Sequence, residues 1–201
     1  MIRAILFDFG RVVSAPKPPS LFRRYEVELG LSPDTINTVM FDSPYWQDAL
    51  VGKTDMDGYW HAIGPALGLH TPQAVADFRK RYYADERINA GVVRMLRKLS
   101  GTHLLAILSN HPPGLRQWLA DWDIEGLFEV VFCSGDEGIA KPDSWAFRET
   151  LRRLNLASPR EAVFVDDTEA HVAAARELGI HAVHYTTTDA LGRELEALGC
   201  W

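Results

Sequence analysis

With 201 residues the chain has room for one good core, or for a core plus a small subdomain. Hydrophobic residues make up 47%, which excludes a disordered chain, and the net charge of -6 argues against nucleic acid as the main partner. No apolar run approaches the roughly 20 residues of a membrane span, so no membrane partner is expected.

The first predicted element is the apolar run Ile2-Arg3-Ala4-Ile5-Leu6-Phe7, which reads as a buried strand and ends at Asp8. Ser14-Ala15-Pro16-Lys17-Pro18-Pro19-Ser20 follows as a proline-rich connector that cannot continue a strand or start a helix early. Helical patterns then run to about residue 86. One spans Leu21 to Leu29, with Gly30 as its stop. Ser32 and Pro33 open another, as N-cap and first helical residue. Two more cover Asp55 to Leu67 and Pro72 to Tyr83. This stretch lacks strands and reads as an insertion after the first strand.

From Asn89 the pattern alternates. Asn89 caps a helix through Leu99, and the apolar run His103 to Leu108 leads to Ser109 and Asn110. A helix from about Pro113 to Trp122 precedes the strand Val130 to Cys133. A helix from Ser144 to Leu154 precedes the strand Ala162 to Val165, which runs into Asp166 and Asp167. The helix Glu169 to Leu178 stops at Gly179, and a last strand spans His181 to Tyr185. Repeated strand-helix-strand units predict an α/β fold: a Rossmann-like parallel sheet with helices on both faces. Met1 to Ala4 enter a strand at once and show no secretory signal pattern. Cys133 in a core strand and Cys200 at the end suggest no disulfide framework, so the cytoplasm is the expected compartment.

In a parallel sheet the carboxyl ends of all strands point one way, and residues there converge on one crevice. Asp8, Ser109, Lys141, Asp166 and Asp167 each end such a strand or sit on the loop after one. Carboxylates gathered there repel unless a cation sits among them, and hard oxygen ligands favour magnesium. A magnesium, a lysine and a spare carboxylate suit a dianionic phosphate substrate. Each residue has a plainer role by itself: Asp8 and the Asp166-Asp167 pair as helix caps, Ser109 and Asn110 as turn formers, Lys141 as a surface cation.

Four stretches carry a resemblance: Phe7-Asp8-Phe9-Gly10-Arg11-Val12-Val13, Leu108-Ser109-Asn110, Ala140-Lys141-Pro142-Asp143 and Phe164-Val165-Asp166-Asp167. In order and in spacing they resemble the haloacid dehalogenase-like (HAD) hydrolase superfamily, most of whose members are phosphatases. The resemblance implies a core of residues 1–13 and 88–201, with residues 14–87 as a helical cap that sets specificity. It implies that Asp8 is the nucleophile of a covalent mechanism. Lys141 would offset charge on Asp8 and the transferring phosphoryl group. Ser109, Asn110, Gly10 and Arg11 would bind phosphate. Mg2+ would be held by Asp8, Asp167 and the Gly10 backbone carbonyl, with Asp166 binding through water or orienting its neighbours. The substrate would be a small phosphorylated metabolite, sugar phosphates included.

Gly10 is the main departure, because most phosphatases of the superfamily carry a second Asp there as general acid and base. Losing such a group typically costs about 10²–10⁴ in rate. Some active relatives also begin Asp-x-Gly. The departure keeps a second reading open, a catalytically weak binding or regulatory protein. A metal-independent haloacid dehalogenase is a third, although those relatives usually have an aromatic residue where Gly10 stands. Asp136 and Glu137 read as a solvated acidic patch, and His111 as a loop residue that could touch substrate but is more often merely solvated. Tyr45, Trp46, Trp60, Tyr82 and Tyr83 read as the insertion's own small core, with some facing the site.

Overall fold

The computed structural model describes residues 1–201. Five strands form one parallel sheet: β1 (Ala4–Phe7), β2 (Leu104–Ser109), β3 (Val130–Cys133), β4 (Ala162–Asp166) and β5 (His181–His184), in the order β3-β2-β1-β4-β5. The central strand, β1, is buried at every residue. Its side chains alternate between two covered faces, as the pleat requires. Ile5 and Phe7 pair with Leu105 and Ile107 in register and join one apolar cluster, while Ala4 and Leu6 join another on the opposite face.

Helices α6 (Ala90–Leu99), α7 (Leu115–Asp121) and α11 (Thr188–Ala197) cover the first face through Leu96, Leu119 and Leu195. Helices α9 (Ser144–Arg153) and α10 (Glu169–Glu177) cover the second through Phe147 and Ala175. Between β1 and α6 lies a block of five helices: α1 (Pro19–Leu29), α2 (Thr35–Phe41), α3 (Pro44–Leu50), α4 (Met56–Ile63) and α5 (Pro72–Ala84). The block has its own apolar cluster around Tyr25, Trp60 and Phe78. Its two connections to the sheet run side by side. Ala15 N–H donates to the Arg87 carbonyl at 2.8 Å, Asn89 N–H to the Val13 carbonyl at 2.8 Å, and Lys17 pairs with Glu86.

The local chemistry accounts for most helix starts. The side chains of Asn89, Ser43, Asp55, Thr71, Asp143 and Thr187 each accept an N–H from the first turn of the following helix. Several expected boundaries are corrected. Helix α2 starts at Thr35, because Asp34 adopts a left-handed φ of 64° and makes Ser32 and Pro33 part of a turn. Helix α1 starts at Pro19, inside the proline-rich connector, since proline's fixed φ suits a first helical residue. The helix expected to reach Leu67 ends at Ile63, and Gly64–Leu67 tighten into a 3₁₀ turn at Pro65. Helices α3 and α11, and the short α8 (Ser134–Glu137), were not anticipated. Asp136 and Glu137 therefore lie on a helical turn, and Glu137 pairs with Arg153 at 2.6 and 2.8 Å.

Phe147 meets Phe164 edge-to-face at 5.2 Å, and both are fully buried. Phe147→Ala is expected to cost about 3–5 kcal/mol of stability through the lost apolar burial and the cavity left behind. Urea unfolding at constant slope measures it, and a loss below about 1 kcal/mol would show that this face of the sheet can collapse around the change.

Candidate active site

Asp8 directly follows the central strand, and its N–H donates to the Val165 carbonyl at 2.8 Å. That bond places it where the chain turns from β1 to β2 on one side and faces β4 on the other, the switch point of an open sheet. Asp166 ends β4 and is fully buried. Lys141, 4% exposed, reaches between them: its Nζ donates to Asp8 Oδ1 at 2.8 Å and to Asp166 Oδ2 at 2.5 Å. The Asn110 side chain grips the Lys141 backbone in both directions, donating to its carbonyl and accepting from its N–H, each at 2.8 Å. The Asn110 side chain is thereby held against the Lys141 loop. Ser109 is buried beside Asp8.

Burial pushes the Asp8 carboxyl above the ordinary range, and the Lys141 ammonium opposes without cancelling it. Burial acts upward on Asp166 as well. There the bonds from His171 and Lys141 outweigh it and hold the carboxyl below its usual value. For Lys141, burial acts downward but the two flanking carboxylates prevail, so the ammonium is held charged. Asp166 is saturated: its Oδ1 accepts from Thr168 N–H at 2.8 Å, and its Oδ2 bonds Lys141 and His171 Nδ1, the latter at 3.1 Å.

Asp167 is different. Its Oδ2 is buried without a hydrogen-bond partner, although the Arg11 Nε lies 3.0 Å away. Asp8, Asp166 and Asp167 each offer an oxygen within 4.8 Å of the others. Oxygens this close, one of them orphaned, fit a hard divalent cation. Arg11 holds a left-handed φ of 61°, and its side chain is 73% exposed. Gly10, by contrast, has φ -65°, which any residue adopts, and a Cβ built there would sit 3.7 Å from Asp8 Oδ2, an ordinary contact. The backbone does not require glycine at position 10; the tight turn is made at Arg11.

A cavity of about 900 Å³ opens from Asp8, Lys141 and Asp167 into the space between the sheet and the helical block. Trp46, Trp60, Tyr82 and Tyr83 line it from the block, as the sequence anticipated for some of them. Tyr45 is corrected: it is 50% exposed and belongs to neither the block's core nor the cavity. His111 is corrected too. It lies in the cavity wall, edge-on to Phe9 at 5.6 Å with Nδ1 bonded to the Pro112 carbonyl, and burial draws its pKa down. Phe9, Trp118, Trp122 and His171 line the cavity and were not foreseen. The signal for the tryptophans was present, as an i, i+4 pair directly after the Ser109 strand.

The model of the haloacid dehalogenase-like hydrolase family matches residues 2–179. The chain belongs to this family. It is 29% identical over 204 residues to sesquiterpene phosphatase astK of Aspergillus oryzae, covering 98% of this chain and 97% of that protein. A HAD family enzyme from Bacteroides thetaiotaomicron has the same fold at TM-score 0.76 and 20% identity, covering 92% and 94% of the two chains. A HAD-like family hydrolase from Porphyromonas gingivalis superposes at TM-score 0.72 and 25% identity, covering 97% and 98%.

The raised Asp8 carboxyl has a consequence for stability. Between the ordinary carboxylate value and its raised native value, the folded HAD domain binds the extra proton, so stability falls as pH rises through that window. Above it, an ionised Asp8 remains a constant burden. Asp8→Asn should therefore raise the thermal midpoint at neutral pH in chelator, and the gain should shrink on acidification as wild-type Asp8 becomes neutral. Thermal unfolding of both proteins across pH measures it; a gain that grows toward acid contradicts the assignment.

Proposed function

We propose that this HAD-like hydrolase is a magnesium-dependent phosphatase of small phosphorylated metabolites, working through a phospho-Asp8 intermediate. The observation that carries the proposal is the charge arrangement at the sheet edge. Lys141 bridges Asp8 and Asp166 but offsets only one of their two charges, while Asp167 keeps a buried oxygen without a hydrogen bond beside them. Asp8, Asp167 and the Gly10 carbonyl would hold the ion, with Asp166 orienting Lys141 and His171. Magnesium, when bound, supplies positive charge to the carboxylates and to the phosphoryl oxygens. The same Bacteroides enzyme is known in complex with magnesium and inorganic phosphate, which supports the reading at 19% identity. The name of the Aspergillus relative supports phosphatase chemistry in a chain of this length.

The steps assigned to this chain are few. An oxygen of Asp8 attacks phosphorus, the ester P–O bond breaks, and the alcohol departs, taking its proton from water. Water then attacks phosphorus in the acyl phosphate, releasing inorganic phosphate and restoring the carboxylate. Lys141 offsets negative charge on Asp8 throughout. Ser109, the Asn110 main chain, the Gly10 loop and the exposed guanidinium of Arg11 are proposed to bind phosphate oxygens. Residues 14–87 are proposed to act as a cap over the site. Asp8→Asn should lower turnover of an aryl phosphate by at least about 10³-fold with the fold intact, and excess chelator should abolish turnover until magnesium is restored. Wild-type turnover in Asp8→Asn, or full activity in chelator, would sink the proposal.

Gly10 favours one alternative, a feeble enzyme that chiefly binds. The geometry offers a direct test, since the position 10 backbone accepts a side chain. Gly10→Asp should supply the missing general acid. Turnover of simple alkyl phosphates should rise by up to about 10²–10⁴-fold, and that of aryl phosphates, which leave unaided, much less. An equal response for both leaving groups, with chemistry rate-limiting, would mean that another residue already delivers the proton.

A further inference from the structure

We infer that the alcohol portion of the substrate is a hydrocarbon: the chain takes monophosphates of apolar alcohols in preference to sugar phosphates. The inference rests on the phosphatase reading for the head group and on the cavity walls for the rest.

The cavity is continuous with the charged cluster at one end, and its volume of about 900 Å³ is near the upper end for small-molecule sites. Beyond the carboxylates its walls are aromatic on both sides. Phe9, Trp118 and Trp122 form the sheet side as one packed set: Phe9 stacks on Trp122 at 5.4 Å, and Trp122 meets Trp118 at 5.7 Å. Trp46, Tyr59 and Trp60 face them from the helical block. Tyr83 joins the two sides, edge-on to Trp118 at 5.4 Å.

Several polar atoms of this lining are already engaged within the protein. Tyr59 Oη donates to the Met40 carbonyl at 2.7 Å, and Trp60 Nε1 donates to Tyr83 Oη at 2.8 Å. Lys17 is paired with Glu86 and lies 4.3 Å over the Tyr82 ring. His111 Nδ1 is bonded to the Pro112 carbonyl, and the Asn110 side chain to Lys141. The indoles of Trp46, Trp118 and Trp122 are donors only, so they accept no hydroxyl proton. Asn37 and Asp42 are exposed, which puts them at the rim. A sugar brings a hydroxyl on nearly every carbon, more than the few free donors of this lining can partner, so most would lose their water without replacement. A hydrocarbon chain or ring loses nothing polar and gains the full benefit of burial against aromatic faces. Discrimination thus comes from both directions, attraction of the apolar group and a penalty on its polar competitor.

The test uses the full chain with magnesium and a series of n-alkylphosphonates from ethyl to decyl, whose C–P bond is not hydrolysed. Calorimetry should show affinity tightening roughly three- to fourfold per methylene until the cavity is filled. Hexylphosphonate should bind at least tenfold more tightly than the phosphonate analogue of glucose 6-phosphate. Trp118→Ala should flatten the chain-length dependence and Trp118→Phe restore most of it, with both variants checked by thermal unfolding. Turnover of p-nitrophenyl phosphate in the same buffer tests the head-group chemistry separately. A steep series without turnover would keep the apolar ligand and overturn the phosphatase reading. A flat series, or tighter binding of the sugar analogue, overturns the inference whether or not the aryl ester is cleaved.

Discussion

The ammonium of Lys141, buried between Asp8 and Asp166, is the interaction on which the candidate site depends. Three charges are taken out of water together, and each would be costly alone. Two carboxylates a few ångströms apart could not both remain ionised in such a place without a cation. The lysine lies about midway between them, and its backbone is fixed by the Asn110 side chain from the next strand end. Removing the lysine typically costs about 3–5 kcal/mol, because two buried carboxylates would be stranded without their shared cation. The arrangement therefore ties together the ends of β1, β2 and β4 and the loop after β3. It also leaves Asp167, next in the chain, as the carboxylate with lone pairs to spare.

Everything around that cluster follows from one topological fact. The strand order places β1 at the centre, so that the chain leaves Asp8 toward β2 on one side while β4 returns beside it on the other. Strands β1 and β4 are short and buried throughout, so their polar ends are the first places where charge can meet solvent. In a HAD-like hydrolase this edge is where a nucleophile can be both rigid and reachable. The loop after Asp8 is strained at Arg11 and relaxed at Gly10, the reverse of what residue types alone suggest. Its departure from the family pattern at position 10 is thus a chemical choice and carries no backbone necessity.

The helical block contributes a different physics. It is joined to the sheet by two adjacent connections clasped by backbone bonds and the Lys17–Glu86 pair, so it has a defined position over the site. The space it encloses is walled by aromatic rings, and the polar tips of Tyr59 and Trp60 are turned to partners within the protein. Its carboxylate cluster lies at the sheet edge, and aromatic rings line much of the rest.

The strands and the charged residues at their ends were legible in the sequence, because each depends on a local signal: an apolar run, then a polar residue. Asp8, Lys141, Asp166 and Asp167 could be assembled on paper because a parallel sheet brings strand ends together whatever their separation. Helix starts were less legible where the deciding feature was a single backbone conformation, as at Asp34, or a segment too short to show a period, as in α3. Only the tertiary structure decided how Asn110 is spent, for its partner is 31 residues away and its own neighbourhood reads as an ordinary turn. Only packing decided that Tyr45 faces solvent while Trp118 and Trp122 complete a wall with Tyr83. The sequence alone determined which chemistry is available at the sheet edge, since covalent order sets what each strand ends with. The cavity's character was decided in three dimensions, because it lies between two segments whose mutual placement no local pattern encodes.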